Sequence, residues 1–322
     1  MQAKRASHST FRSCLELQEQ CLAIGFNVDI AQITSGPLYG QINVNSLSGT
    51  ALVHIETNQG LLVYGNPPPG TINVAIEHSK QLDLHRVQGS VLTQTSLSGF
   101  NARKTQTYFS VTPGSRLSVA IFPANIMLST MHQLHGEQGM DILLNQNLKR
   151  ISPKQFDHIL SSTRQRVTGT FKTSDTAMHQ HDYILSILNA LGGSHSTASN
   201  ERKINNIPLV ERFVQTCFEE GCTNPLTIND LTTKLFSSKT VLSQSIKDST
   251  GLSPMTFLRN VRLEQVRSQL IRGDSSTSII SVAQKYGFPS RGHFSRYYRE
   301  LFGELPSETA ACSKYFELKK RF

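Results

Sequence analysis

At 322 residues, with 38% apolar and 17% charged residues and a formal charge of +9, the chain has material for two buried cores and the balance of a soluble globular protein. It holds no apolar run of about 18 residues, which excludes a membrane-spanning helix, and no apolar stretch follows the basic residues near Met1, which excludes a secretory signal. Five cysteines, an odd count with no C-x-x-C pair, suit thiols in a reducing cytoplasm better than a disulfide framework.

From about Asp29 to Pro123 the text is β-like. "QINVNSL", "ALVHIET", "LLVYG", "TINVAIEH" and "LSVAIF" are short runs rich in Val, Ile and Leu, separated by turn clusters such as "TNQG" and "GNPPPG". Many short strands at close spacing predict a sandwich or small barrel. From Asn125 the periodicity turns helical, and Tyr183, Ile184, Ile187, Leu188 and Leu191 trace one apolar stripe, with Asp175 and Thr176 as caps. Residues 1–191 therefore read as a β-rich domain for sensing or dimerisation, with a helical segment over 125–191. The stripe suits packing on the barrel or pairing of two subunits, and pairing is the preferred expectation. Residues 192–206, "GGSHSTASNERKINN", lose apolar periodicity and read as a linker.

The block from 207 to 322 contains a unit written twice. Ile228, Leu231 and Leu235 recur as Ile279, Val282 and Tyr286, 51 residues on; Ser238, Leu242, Ile246, Gly251 and Pro254 recur as Ser290, Phe294, Tyr298, Gly303 and Pro306, 52 residues on. The change of offset falls in a turn, where one extra residue is tolerated. Each copy reads as helix, tight turn, helix. In the second, Gly287 supplies the positive φ that ends a helix, Pro289 blocks continuation, Ser290 caps the next helix and Gly303 closes it. Between the copies, "PMTFLRNVRLEQVRSQLIRG" predicts a linker helix of about 18 residues, roughly 27 Å long.

Charge follows the same division. Residues 221–322 hold 15 Lys and Arg against 8 Asp and Glu, whereas residues 1–220 hold 17 against 15. The excess points to a polyanion at the C-terminal third. With the apolar positions removed, the second helix of copy one exposes Lys239, Thr240, Ser243, Gln244 and Lys247, and that of copy two exposes Arg291, Gly292, His293, Ser295, Arg296 and Arg299. Arg donates two bonds to guanine O6 and N7, Gln bridges adenine N6 and N7, Ser and Thr serve either, and Lys suits phosphates. A linker helix of that length holds two recognition helices near one turn of duplex apart, so one chain occupies two successive major grooves. Copy two is the more basic and is expected to carry more of the affinity. Arg259 and Arg262, on the linker helix, are assigned structural roles, and Tyr297 a packing role.

These residues carry a resemblance. "VAQKYGFPSRGHFSRYYRELFGELPSE" resembles the second helix-turn-helix of the AraC/XylS transcription regulators, and "FLRNVRLEQVRSQLI" their linker helix. The match covers about residues 208 to 310. Within the family, "LRNVRLEQVRSQL" and "GHFSRYYRELFGELPSET" are most similar to the ethanolamine-operon regulator branch, which would imply ethanolamine and a cobalamin as the molecules sensed. The resemblance implies a bipartite DNA-binding domain, directly repeated sites near promoters, contact with RNA polymerase, and an N-terminal domain that binds a small-molecule effector or forms a homodimer. One position departs from the family: Thr232 stands where a small Ala is usual, as at Ala283, and its hydroxyl requires a backbone acceptor.

No metal site is expected. His132 with His135 lie three apart, and His179, His181 and Asp182 lie together, but no third ligand with suitable spacing follows either His pair. His54, Glu56, His78 and His85 do not form the close His-x-His cluster of metal-binding cupins, and no G-x-S-x-G, H-E-x-x-H or Walker-type loop appears. For an effector pocket, Tyr39, His54, Tyr64, Phe100, Tyr108 and Phe109 are the aromatic or polar-tipped candidates.

The fold class expected is α+β multidomain: a β-rich, cupin or jelly-roll-like domain followed by an all-α double helix-turn-helix. The function expected is a cytoplasmic, sequence-specific activator of transcription that uses no cofactor and is not an enzyme. Two rivals stand beside it: a metal-dependent cupin-type enzyme with a DNA-binding tail, and a low-specificity architectural DNA-binding protein.

Overall fold

The computed structural model describes residues 7–47, 50–79, 85–87, 90–92, 94–168, 176–193, 206–221, 226–273 and 277–312. Among these residues, twelve strands run in chain order from β1 (Ser7–Phe11) through β2 (Asn27–Gln32), β3 (Gly40–Leu47), β4 (Thr50–Thr57), β5 (Leu61–Asn66), β6 (Thr71–Glu77), β7 (Arg86–Val87), β8 (Ser90–Val91), β9 (Ser96–Ser98), β10 (Thr107–Val111) and β11 (Arg116–Pro123) to β12 (Leu148–Arg150). They form two antiparallel sheets, one in the order β1-β3-β4-β11-β6-β9-β12 and one in the order β2-β5-β10-β7-β8.

Strand alternation sorts the side chains into layers. Ile30, Ile42, Val53, Leu61, Val63, Leu117 and Ile121 turn into the space between the sheets. The opposite face of the larger sheet presents Leu52, Val74, Ile76, Ala120 and Phe122 to the helices α2 (Ala124–Asn145), α3 (Pro153–Val167) and α4 (Thr176–Gly192). The α4 stripe lies in this layer: Ile187, Leu188 and Leu191 are fully buried, so it is covered within one chain rather than offered to a second subunit. The expectation of pairing is corrected. Packing on the sheet wins because the outer face of β4, β6 and β11 is itself apolar and needs a cover.

The strand β1 and the helix α1 (Cys14–Ala23) precede the region that reads as β in the sequence. The Ser13 hydroxyl caps α1 by accepting from the Glu16 amide at 3.2 Å, and Cys14, Leu15, Leu17 and Cys21 are buried beneath it. Of the expected linker, Gly192 closes α4 and Asn206 precedes α5 (Ile207–Glu219); residues 194–205, like the expected cap Asp175, lie outside the described residues.

The C-terminal helices are α5, α6 (Ile228–Lys234), α7 (Lys239–Thr250), α8 (Pro254–Arg272), α9 (Ile279–Lys285) and α10 (Arg291–Phe302). The helix α8 is central. Its 19 residues span about 28 Å, and Phe257, Leu258, Val261, Leu263 and Val266 are buried without exposure among α5 and both helix pairs. The same core takes in Ala31, Leu62, Tyr64 and Tyr108 from the outer face of the smaller sheet. The smaller sheet thus has the inter-sheet space on one face and the helical unit on the other.

Candidate nucleic-acid interface

In the second helix pair, Ala283 and Tyr286 seat α9, and the turn passes through Gly287 at φ 81°. Phe294, Tyr298 and Leu301 fix α10 to the core, and the Tyr298 hydroxyl shares a 2.8 Å hydrogen bond with Thr309. Gly303, at φ 74°, terminates α10 in the left-handed conformation that favours glycine. The opposite face of α10 is open: Arg291, Gly292, His293, Arg296 and Arg299 are exposed and Ser295 is half-buried. Tyr297 is gripped rather than free, with the Arg259 guanidinium 4.1 Å and that of Arg296 5.1 Å from its ring centre. Arg296 also lies 3.8 Å from Glu300, one turn on. The grip on Tyr297 orients Arg296 along the open face.

One expected cap differs. Ser290 makes no side-chain bond into α10, and only its carbonyl engages the helix, accepting from the Phe294 amide at 3.0 Å. Its ψ is 117°, against 154° at Ser238, whose hydroxyl does accept from the Val241 amide at 3.2 Å. The first amides of α10 therefore have no side-chain cap.

The first helix pair repeats the frame with different surfaces. Leu242 and Ile246 are fully buried; Lys239, Thr240, Gln244 and Lys247 are exposed, and Ser243 is half-buried. Gln244 donates to Asp248 at 2.7 Å, so it must exchange that partner to reach a base edge. Thr232 finds the acceptor its hydroxyl requires in the Asn229 carbonyl, 2.9 Å away. Two exposed apolar residues were not anticipated: Val241, and Phe236, which is 91% exposed at a φ of 50°. Phe236 stands 51 residues before Gly287, so the repeat itself holds the signal, a bulky residue at a position whose counterpart is glycine. Arg262 is structural as expected, buried with its Nε donating to the Gly221 carbonyl at 2.7 Å.

A cavity of about 120 Å³ lies between the sheets, lined by Ile30, Val53, Leu61, Val63, Phe109 and Val119 among others. Of the six residues proposed from sequence for an effector, Phe109 alone is in its wall. Tyr39 is half exposed beneath Arg12. Phe100 is buried against the α2–α4 layer. His54 is buried on the face of the larger sheet away from the cavity, its Nδ1 2.9 Å from the Ser118 hydroxyl, which also meets His78 Nε2 at 2.8 Å. Tyr64 and Tyr108 alternate away from the cavity and border instead a cleft against α5. Among the described residues, Lys104 is the single Lys or Arg in the cavity lining and no carboxylate stands in it; Lys104 pairs at 3.1 Å with Glu211 on α5.

Burial perturbs several groups around these sites. Desolvation lowers His78 to about 4, with the nearby His54 and Arg164 acting in the same direction. Desolvation also raises the Glu264 carboxyl on α8, against the opposing pull of Arg267.

Residues 231–311 match a family described as a helix-turn-helix domain. The chain is 35% identical over 120 residues to XylDLEGF operon transcriptional activator 2 of Pseudomonas putida, a match covering 37% of this chain and 76% of that one. It is 30% identical over 103 residues to a probable thc operon regulatory protein of Rhodococcus erythropolis, covering 32% of this chain and 31% of that relative's length. Among solved structures it is similar to a probable AraC family transcriptional regulator from Rhodopseudomonas palustris CGA009, at 33% identity and a TM-score of 0.32, over 33% of this chain and 98% of the other. Among the described residues, no helix is long and apolar enough to cross a membrane.

Proposed function

The chain belongs to the AraC/XylS family of transcription regulators, and from that membership we propose that it is a sequence-specific activator whose helices α7 and α10 enter successive major grooves of promoter DNA. The observation that carries this reading is the pair of solvent-facing helix surfaces on one linker helix, each mixing base-reading side chains with phosphate partners. Arg291, His293, Ser295 and Arg296 read bases from α10, Thr240, Ser243 and Gln244 read them from α7, and Lys239, Lys247 and Arg299 hold phosphates. The uncapped first amides of α10 add donors for a phosphate at its N-terminus.

The β-rich region, in this reading a cupin or jelly-roll-like barrel, serves as the effector domain, and the inter-sheet cavity is its chamber. A lining that is largely apolar and, among the described residues, holds no carboxylate and only an ammonium already paired with Glu211 suits a small molecule of largely apolar body. Its binding shifts regulation only through different affinities for different arrangements of the two regions. RNA polymerase is the further partner, and the cytoplasm the place of action.

Methylation interference on a bound duplex tests the groove assignment. Guanine N7 methylation is expected to block binding in two patches about one helical turn apart. Interference in a single patch, or none, contradicts two-helix reading.

A further inference from the structure

The two helix pairs are joined twice. The covalent joint is α8. The second joint is the outer face of the smaller sheet, which touches both recognition helices near their C-terminal ends. Tyr108 on β10 hydrogen-bonds through its hydroxyl to Ser249 in the last turn of α7. Gln32, at the end of β2 and fully buried, directs Nε2 to the Gly36, Thr34 and Leu301 carbonyls at 2.6, 2.7 and 3.0 Å, bracing the turn at 34–36 against the last turn of α10. The Gly36 amide donates to the Leu301 carbonyl at 2.9 Å.

Gln32 holds α8 as well. Its main-chain N–H donates to Glu264 Oε1 at 3.1 Å, and its main-chain carbonyl accepts from Asn260 Nδ2 at 3.3 Å. The Cys14 thiol, from α1, donates to the same Glu264 oxygen at 3.1 Å. Tyr64 on β5 stacks on Phe218 of α5, with ring centres 5.9 Å apart and planes 4° from parallel. None of these contacts covers the open faces of α7 and α10, which stay solvent-exposed. The sheet therefore does not mask the recognition helices. It fixes their frame.

We propose that Gln32 and Tyr108 are positioning residues for DNA reading: by tying the ends of α10 and α7 to one rigid sheet, they set the angle and separation of the recognition helices, and with them the half-site spacing the chain accepts. The role rests on the assignment of α7 and α10 as the reading helices. A one-base-pair change of spacing moves a half-site by about 3.4 Å and rotates it by roughly a tenth of a turn. A frame held at two points resists that displacement, whereas one held by α8 alone follows it by flexing. Because Leu61, Val63 and Phe109 on the other face of the same strands line the cavity, a molecule that displaces β5 or β10 there also moves the tie.

The test is a series of duplexes, built on a site selected by the full chain, in which the two half-sites are moved apart or together by one base pair at a time. Affinities are measured for the wild-type chain, Gln32→Ala and Tyr108→Phe, with thermal unfolding and circular dichroism recorded for each. The wild type is expected to lose about tenfold or more per base pair displaced, and the variants about threefold or less, with binding at the preferred spacing nearly unchanged. A residue that merely supports stability would lower affinity equally at every spacing, and that result overturns the proposal, as does a folded variant with the wild-type spacing profile. If Gln32→Ala does not fold, Tyr108→Phe, which removes one hydroxyl, carries the decision. A wild-type chain with no sequence preference overturns the DNA reading and the positioning role with it, and shows itself before any variant is compared.

Discussion

The two helix pairs share one frame and differ in what they show to solvent. In each, a short first helix and two apolar positions on the second, Leu242 and Ile246 or Phe294 and Tyr298, seat the pair on α8. The second pair turns at a glycine and presents Arg291, His293, Arg296 and Arg299; the first turns at an exposed phenylalanine and presents two lysines and a glutamine already bonded to Asp248. A duplicated frame lets the exposed surface of each copy vary without cost to the fold, because the residues that pack and the residues that face solvent lie on opposite sides of the same helix.

The largest expected effect breaks the shared frame itself. Tyr298→Ala removes a fully buried ring and its bond to Thr309, and loses about 3–5 kcal/mol of stability in chemical denaturation. Ile246→Ala in the other copy loses about 2–5 kcal/mol. If either truncation leaves the midpoint unmoved, the packing roles are wrong.

Next comes the reading surface. Arg296→Ala is expected to cost about 1–3 kcal/mol in DNA affinity and to relax preference at one position. Lys239→Ala costs less, acts alike on all sequences, and lowers the salt slope by about one unit. A larger loss for Lys239→Ala reverses the ranking of the two copies.

Acid acts on the β-rich region through His78. His78 faces Ser118, His54, Arg164, Glu77 and Glu56, and burial holds its imidazole at about 4 against an ordinary 6.5. The unfolded chain takes up that proton first as pH falls from 6.5 to 4, so stability present above pH 6.5 is lost across this window. His78→Asn flattens that limb; an unchanged slope removes His78 as its source.

The smallest effect lies at the first turn. Phe236→Gly relieves a positive φ and removes an exposed ring, and raises stability by about 1 kcal/mol in thermal unfolding. A loss instead means that Phe236 makes a contact in the folded chain.

The helical third was legible because two signals agreed there: a 3.6-residue apolar period and its recurrence 51 or 52 residues on. The residues that line the cavity were not. In "LLVY" every side chain is apolar or aromatic because both faces of the smaller sheet are covered, and a period of two cannot say which face meets the cavity. Leu61 and Val63 turned inward, Tyr64 outward. The helix α1 was missed because its ten residues hold only four buried positions and mix them with Glu and Gln. The Ser290 cap failed on a backbone angle, and the tie between Gln32 and Glu264 joins residues 232 apart, a distance at which no local pattern operates.

The most direct measurement of the central claim is selection of bound duplexes from a random library by the full chain, followed by affinities for winners and scrambled controls. Two half-sites about one helical turn apart, bound roughly a thousandfold or more tighter than the controls, are the predicted result. Winners and scrambles that bind alike, with salt abolishing both, would contradict it.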